Sequence, residues 1–176
     1  PKSVSLIEEE VIPEEKLDEA VSLIERLILS CKKKTVIPII YNIIMELLSH
    51  TADSWKYKYI SYVSVGKIAD FVDEIKELEK IIPIILDDAK NENPKIRYAC
   101  LFCIAQISSA LKDEFTELYS DKVIPILCDL VLNDKVLRCK LQGYDSLESF
   151  IEESSDELME KNTQKLLDAI FCNFVK

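Results

Sequence analysis

The sequence predicts an all-α protein, folded as a right-handed α-α superhelix of about four helix pairs. The first reason is an internal repeat, in which VIPII at 36–40 returns as IIPII at 81–85 and as VIPIL at 123–127. The second is that apolar residues recur at steps of three and four along most of the chain, which is typical of amphipathic helices. The third is that the 176 residues contain two glycines, too few for a fold built on tight sheet turns.

The repeat has a period in the forties. Pro38, Pro83 and Pro125 hold the same place in the three motifs and stand 45 and 42 residues apart. A weaker copy without proline lies at 166–170. A period of this length built from two helices indicates a HEAT or armadillo type solenoid, in which each repeat packs on its neighbours.

The clearest single repeat lies at 94–133. Pro94 suits the first turn of a helix, where its missing N–H needs no partner, and a corner at 112–114 leads into a second helix. The predicted units are an acidic lead segment at 1–15 and repeats at 16–50, 53–91, 94–133 and 135–176. In the second repeat we expect helices over about 54–71 and 74–90. The first and last repeats lack the polar outer layer of a terminal repeat, so we expect a fragment of a longer solenoid.

Charge restricts the partners of the protein. Charged residues make up 31% of the chain, and the formal net charge is −10. Nucleic acid and anionic lipid are therefore disfavoured, and basic protein partners are favoured. The longest nearly continuous apolar run, at 36–48, contains Pro38, Asn42 and Glu46 and is too short and too polar to span a bilayer.

The sequence carries no recognisable catalytic, cofactor or metal motif. It has neither a glycine-rich phosphate loop nor a nucleophile elbow, and its one histidine is His50. Cys100 and Cys103 form a CxxC, but they lie on the apolar stripe of a predicted helix and no matching ligand pair exists. We therefore predict no enzyme activity, no cofactor and no metal, and we interpret the cysteines as small buried residues.

A basic residue recurs near the start of each first helix, as Lys58, Arg97 and Arg138. Acidic residues that could bind them are Asp53, Asp88 and Asp134. Because the spacing follows the repeat, we predict a structural ladder of ion pairs between repeats.

The second helices predict a candidate binding surface on the concave side. When the proline motifs are aligned, Asn42, Asp87 and Asp129 fall at one position, opposite the apolar stripe, and Glu46 lies one turn further on. Such a row could bind an extended basic cargo segment through hydrogen bonds and negative charge. The alternative for each residue is an ordinary solvated helix face.

Three short segments give a family resemblance. VIP at 36–38, WKYKY at 55–59 and NPKIRYAC at 93–100 resemble, at the same spacing, the central repeats of importin-beta (karyopherin-beta) type nuclear transport receptors. The resemblance extends over about 14–132 and is strongest to the beta-three subgroup. It implies a non-enzymatic carrier of basic import cargo that binds Ran GTPase and phenylalanine-glycine nucleoporins and shuttles between cytoplasm and nucleus.

The resemblance also implies two further sites. Apolar gaps between first helices on the convex side would bind nucleoporin repeats, with Tyr59, Tyr62, Tyr98 and Phe102 as the candidates. The alternative is that these aromatics close the layer between repeats. An acidic segment would contact Ran, and its candidates are Glu8, Glu9, Glu10, Glu14 and Glu15. The alternative function is a general HEAT-repeat scaffold or adaptor for assembly of another complex.

Overall fold

The computed structural model describes residues 14–50 and 55–172, and these ranges contain helices and no β-strand. The helices are α1 (Glu14–Ser30), α2 (Lys33–Ser49), α3 (Trp55–Ile68), α4 (Ile82–Asp88), α5 (Pro94–Asn133), α6 (Leu137–Glu152) and α7 (Asp156–Phe171). Two short 3₁₀ helices, Ala69–Phe71 and Ile75–Glu77, connect α3 to α4. The predicted all-α class is confirmed.

The long helix α5 consists of two helical limbs that meet at Lys112. This residue has φ 45° and ψ −132°, which is a conformation far from helical. We call residues 94–111 the first limb and residues 113–133 the second limb. The predicted corner at 112–114 thus consists of one non-helical residue with a positive φ. The described residues form four helix pairs, which are α1 with α2, α3 with α4, the first limb with the second limb, and α6 with α7.

The second helix of the second repeat is shorter than expected. Instead of one helix over 74–90, the chain forms a 3₁₀ turn at Ile75–Glu77 and then α4, with Pro83 in the first turn. Proline lacks an N–H and fits a first turn best, so the helix begins beside it. The side chains of Glu74 and Glu77 cap the 3₁₀ turn, which stabilises the break.

The core is a continuous strip of buried side chains between successive pairs, and Tyr62, Phe115 and Phe150 are its largest fully buried members. Burying an aliphatic side chain in this strip, such as Ile85 or Leu127, contributes roughly 1.5–3 kcal/mol. Both glycines lie where neighbouring pairs approach closely. A Cβ on Gly66 would come within 3.2 Å of the Phe102 ring, and one on Gly143 within 3.2 Å of a Val131 methyl.

Apolar side chains are exposed on the first and last described pairs. Leu23, Leu27, Ile39 and Ile43 project from α1 and α2, and Leu137, Leu141, Leu167 and Phe171 from α6 and α7. No helix in the described ranges is long and apolar enough to cross a membrane. The lead segment up to residue 13, with Glu8, Glu9 and Glu10, and the ladder residue Asp53 lie outside the described residues.

Candidate functional site

The polar residues that were predicted from the sequence to lie on the concave side are exposed on the second helices of successive pairs. Asn42 and Glu46 lie on α2, Asp87 on α4 and Asp129 on the second limb of α5, and all four are exposed. Asn133 donates a hydrogen bond of 2.8 Å to Asp129. Among the described residues Asp87 makes no side-chain hydrogen bond or ion pair, so its carboxylate is available to a partner.

A cleft of about 560 Å³ adjoins this row, between the second limb and α7. Its apolar part is formed by Pro125, Cys128, Leu132 and Ala169. Its polar part is formed by Asp129, Lys161, Asn162, Gln164, Lys165 and Asp168. The cleft therefore combines an apolar lining with amides, two carboxylates and two lysine ammonium groups, a composition suited to an extended peptide.

Sequence reasoning missed the α7 side of this cleft. Asp168 takes the place of the repeated proline in the weak copy at 166–170, so the motif gave no reason to single it out. In the structure Gln164 donates a hydrogen bond of 2.9 Å to Asp168. The signal that could have found these residues is the repeat distance itself, which places α7 beside the second limb.

Of the three basic residues in the predicted ladder, Lys58 and Arg97 bind acids named for it, but these ion pairs do not link one repeat to the next as expected. Lys58 binds Asp88 at 2.7 Å, and both residues belong to one repeat rather than to two. Arg97 binds Asp134 through two hydrogen bonds of 2.7 Å. Arg97 also donates to the backbone carbonyls of Asn91 and Glu92, so it joins the loops on either side of its own repeat.

These ion pairs lower the pKa values of their carboxylates. Burial by itself would raise the pKa of Asp88, but hydrogen bonds from Lys58, Tyr62 and Asn91 outweigh it, so the pKa lies below the ordinary value. The pKa of Asp134 is lowered in the same way, by Arg97 and the Val136 N–H against the effect of burial. Both acids stay ionised at neutral pH, which fits a structural role.

The aromatic residues predicted for the convex side divide into two groups. Tyr59 and Tyr62 are buried, with 7% and 0% exposure, so the prediction that they face outward is wrong. Tyr62 donates a hydrogen bond to Asp88, and burial raises its pKa well above the usual value. The physical reason is that α3 is packed on nearly every side, so these rings close the layer between repeats.

Tyr98 and Phe102 are half-buried and lie under cations from neighbouring helices. The Arg138 guanidinium is 4.6 Å from the centre of the Tyr98 ring, and the Lys67 ammonium is 5.7 Å from that of Phe102. Each ring is thus partly covered by a cation–π contact. Their predicted contact with nucleoporin repeats stays a prediction.

The cysteines of the CxxC motif are buried within the first limb of α5. Burial raises the pKa of Cys100 and of Cys103 well above the usual thiol value, which makes both unreactive. The described residues contain no group of three or more His, Cys, Asp or Glu side chains that could hold a metal. Of the acidic candidates for Ran contact, Glu14 and Glu15 begin α1, and their side chains lie outside the description.

The fold and its surfaces define a HEAT-repeat solenoid, a protein class of the non-enzymatic scaffold type. The HEAT repeat family matches residues 81–111, which comprise α4 and the first limb of α5. This match crosses the boundary that the sequence suggested between the second and third repeats, so the repeat boundaries stay a prediction.

Comparison with known proteins finds similarity to an importin subunit and to solved structures of Kap121p. The chain is 20% identical over 119 residues, 66% of its length, to importin subunit beta-3 of Saccharomyces cerevisiae. The crystal structure of Kap121p bound to Pho4p matches 99% of the chain with a TM-score of 0.84 and 18% identity, and that of Kap121p bound to RanGTP matches 95% with a TM-score of 0.81 and 19% identity. These comparisons confirm the resemblance to the importin-beta family. The chain spans 11% of the length of the yeast relative and 17% of each Kap121p chain.

Proposed function

We propose that this chain is a HEAT-repeat segment of an importin-beta type nuclear transport receptor, and that its second helices bind an extended basic segment of import cargo. The observation that carries the proposal is the exposed row of Asn42, Asp87 and Asp129 on three successive second helices. One surface residue of this type is common, but recurrence at the repeat distance gives a track along which a peptide can extend.

The chemistry of the track suits a basic peptide. Exposed carboxylates attract lysine and arginine over about 10 Å at moderate salt, and amides such as Asn42 can bind the peptide backbone. The cleft beside Asp129 adds an apolar lining for a neighbouring side chain of the cargo. The formal net charge of −10 favours approach of a basic segment by long-range attraction.

The remaining partners are proposed by analogy with the relatives. Kap121p structures bound to RanGTP and to Nup53p support Ran and a nucleoporin as partners of the longer receptor, which would shuttle between cytoplasm and nucleus. On this chain Tyr98 and Phe102 are the candidates for nucleoporin contact, and the acidic lead segment, with Glu14 and Glu15, is the candidate for Ran. The receptor would act without catalysis or cofactor.

The cargo proposal is tested by reversing charge on the track. We expect Asp87→Lys with Asp129→Lys to weaken binding of a fluorescent lysine-rich import peptide and to flatten its salt dependence, with circular dichroism unchanged. The matched control, Glu148→Lys with Glu152→Lys, makes the same change in net charge on exposed residues of α6. Equal affinities in the track variant and the parent protein, or equal losses in both variants, would overturn the assignment of this surface.

Ran binding is tested separately on the parent protein. We expect binding to Ran loaded with GTP and weaker binding to Ran loaded with GDP, measured by biolayer interferometry. If the protein binds the cargo peptide but does not bind Ran in either nucleotide state, a general HEAT-repeat adaptor would be favoured instead.

A further inference from the structure

Two clefts flank the second limb of α5, and Asp129 lines both of them. The first is the cleft between the second limb and α7 described above, which we call the α7 cleft. The second, which we call the α4 cleft, has a volume of about 510 Å³ and lies between the loop after α4 and the end of the second limb. Because one side chain borders both clefts, a ligand that crosses the second limb at Asp129 can enter both.

The middle of this path is negatively charged. Asp129 is exposed, and its carboxylate accepts a hydrogen bond of 2.8 Å from Asn133, which also lines the α4 cleft. That hydrogen bond restrains the carboxylate without neutralising it, because an amide carries no charge. Among the described residues no cation forms an ion pair with Asp129. Its charge is therefore available to a lysine or arginine of a ligand.

A lysine from a neighbouring element lines each cleft. Lys90 follows α4 and lines the α4 cleft, and Lys165 lies on α7 and lines the α7 cleft. Both side chains are exposed. Within the described part of the chain, neither ammonium group forms a hydrogen bond or an ion pair. Each is thus available to an anionic group of a ligand.

The remaining charges of the two clefts balance one another. Within each cleft they are equal in number and opposite in sign, and they are Arg97 with Asp134 and Lys135 with Glu92 in the α4 cleft, and Lys161 with Asp168 in the α7 cleft. The uncompensated charges are therefore one carboxylate in the middle and one ammonium group on either side. A complementary ligand has the reverse order, with a cation between two anions.

The packing of helices sets the spacing of these charges. Neighbouring packed helices lie about 8–10 Å apart, and an extended peptide advances about 3.3 Å per residue. A peptide that crosses the second limb therefore places residues about three positions apart over neighbouring elements.

We propose that this surface selects a cargo segment in which an isolated lysine or arginine has an acidic residue three positions away on each side. The basic residue binds Asp129, and the acidic residues bind Lys90 and Lys165. This inference rests on the proposed function and narrows the cargo from basic segments in general to those with this spacing of charge. A run of lysines is disfavoured, because its outer ammonium groups would meet two ammonium groups of the protein.

Two fluorescent peptides of identical composition test the spacing. Each contains one lysine and two glutamates in a glycine-serine background. The first has the glutamates three positions from the lysine on both sides, and the second has them directly beside it. Since the net charges are equal, long-range attraction and repulsion cancel in the comparison. At about 50 mM salt we expect the first peptide to bind about fivefold more tightly, because it can form two additional exposed ion pairs.

Substitutions in the protein assign this preference to the two lysines. Lys90→Gln with Lys165→Gln should bind the two peptides equally, with the circular dichroism spectrum unchanged. The matched control, Lys32→Gln with Lys80→Gln, removes the same charge from exposed lysines that line neither cleft and should keep the preference. Asp129→Asn should weaken the binding of both peptides.

The outcomes separate this inference from the proposed function. Peptide binding that Asp129→Asn leaves unchanged would overturn both of them. Binding that depends on Asp129 but is equal for the two peptides would overturn the inference alone. The same conclusion would follow if the preference persisted after the substitution of Lys90 and Lys165, or if it disappeared in the control variant as well.

Discussion

Arg97 and Asp134 form a bidentate ion pair that connects the start of α5 to the turn beyond its end. The two hydrogen bonds are 2.7 Å long, and the Asp134 side chain is 1% exposed. The same guanidinium binds two carbonyls of the preceding loop. One side chain thus fixes two loops that are about forty residues apart in a repeat array.

We therefore expect Asp134→Ala to lower the free energy of unfolding by about 3–5 kcal/mol, because Arg97 would remain buried without its anion. Urea unfolding followed by circular dichroism measures the change. The comparison variant is Asp121→Ala, which removes an exposed ion pair to Lys161 and should leave stability nearly unchanged. Similar decreases in the free energy of unfolding in the two variants would contradict the conclusion that the buried ion pair stabilises the fold more than the exposed one.

Stability should also fall in acid because of Asp88 and Asp134. Both have pKa values below the ordinary 3.8 in the folded protein, so the unfolded chain binds more protons in this range. The stabilisation is complete above the ordinary pKa and is lost as pH falls through the lower folded value. Urea unfolding at several pH values below about 5 should show this loss. The double variant Asp88→Asn, Asp134→Asn should be less stable at neutral pH, and its free energy of unfolding should change less with pH. An unchanged pH dependence would exclude these two acids as the source of the acid sensitivity.

The buried hydroxyl of Tyr62 gives a test of the corrected convex surface. Tyr62→Phe should lower the free energy of unfolding by about 1–2 kcal/mol, since Asp88 loses a hydrogen bond. Nucleoporin-repeat binding should stay unchanged, because the ring is fully buried. Tyr98→Phe keeps its ring beneath Arg138 and serves as the control, with little expected change in stability. Loss of repeat binding in a folded Tyr62→Phe protein would show that this tyrosine contributes to the surface after all.

Lys112 offers a stabilising change at the corner of α5. Its φ of 45° lies where residues with a Cβ are strained and glycine is not. Lys112→Gly should raise the free energy of unfolding by about 1 kcal/mol, after allowance for the greater freedom of glycine in the unfolded chain. Lys112→Ala keeps the Cβ and loses the exposed contact to Glu153, so it should give no gain. Thermal and urea unfolding of the two variants measure the difference. An equal increase in the free energy of unfolding in Lys112→Ala and Lys112→Gly would exclude backbone strain as the cause.

Several features were predictable from local pattern. The proline register placed Asn42, Glu46, Asp87 and Asp129 on one face, and all are exposed, because a helix repeats its orientation every 3.6 residues. The partners of Lys58 and Arg97 were among the three acids suggested by spacing. Such features depend on residues within one helix or at the fixed repeat distance.

Other features were not predictable from pattern. The buried stretch of α3 includes Tyr59, Tyr62, Val63 and Val65, so its apolar residues have no single inward face from which an outward one could be deduced. The α7 side of the cleft carries no proline motif, and only the stacking of α7 beside the second limb brings Asp168 near Asp129.

The sequence by itself determined the helical class, the repeat period, the corner at Lys112 and the charge that favours basic partners, because periodicity and composition are properties of the chain alone. Tertiary structure decided which polar contacts are buried. Arg97 and Lys33 each form an ion pair with an aspartate, but the Arg97–Asp134 pair is largely buried and the Lys33–Asp73 pair is exposed. The buried pair is therefore expected to contribute more to stability. The difference arises from solvent exposure, which depends on how neighbouring pairs stack and which no local pattern specifies.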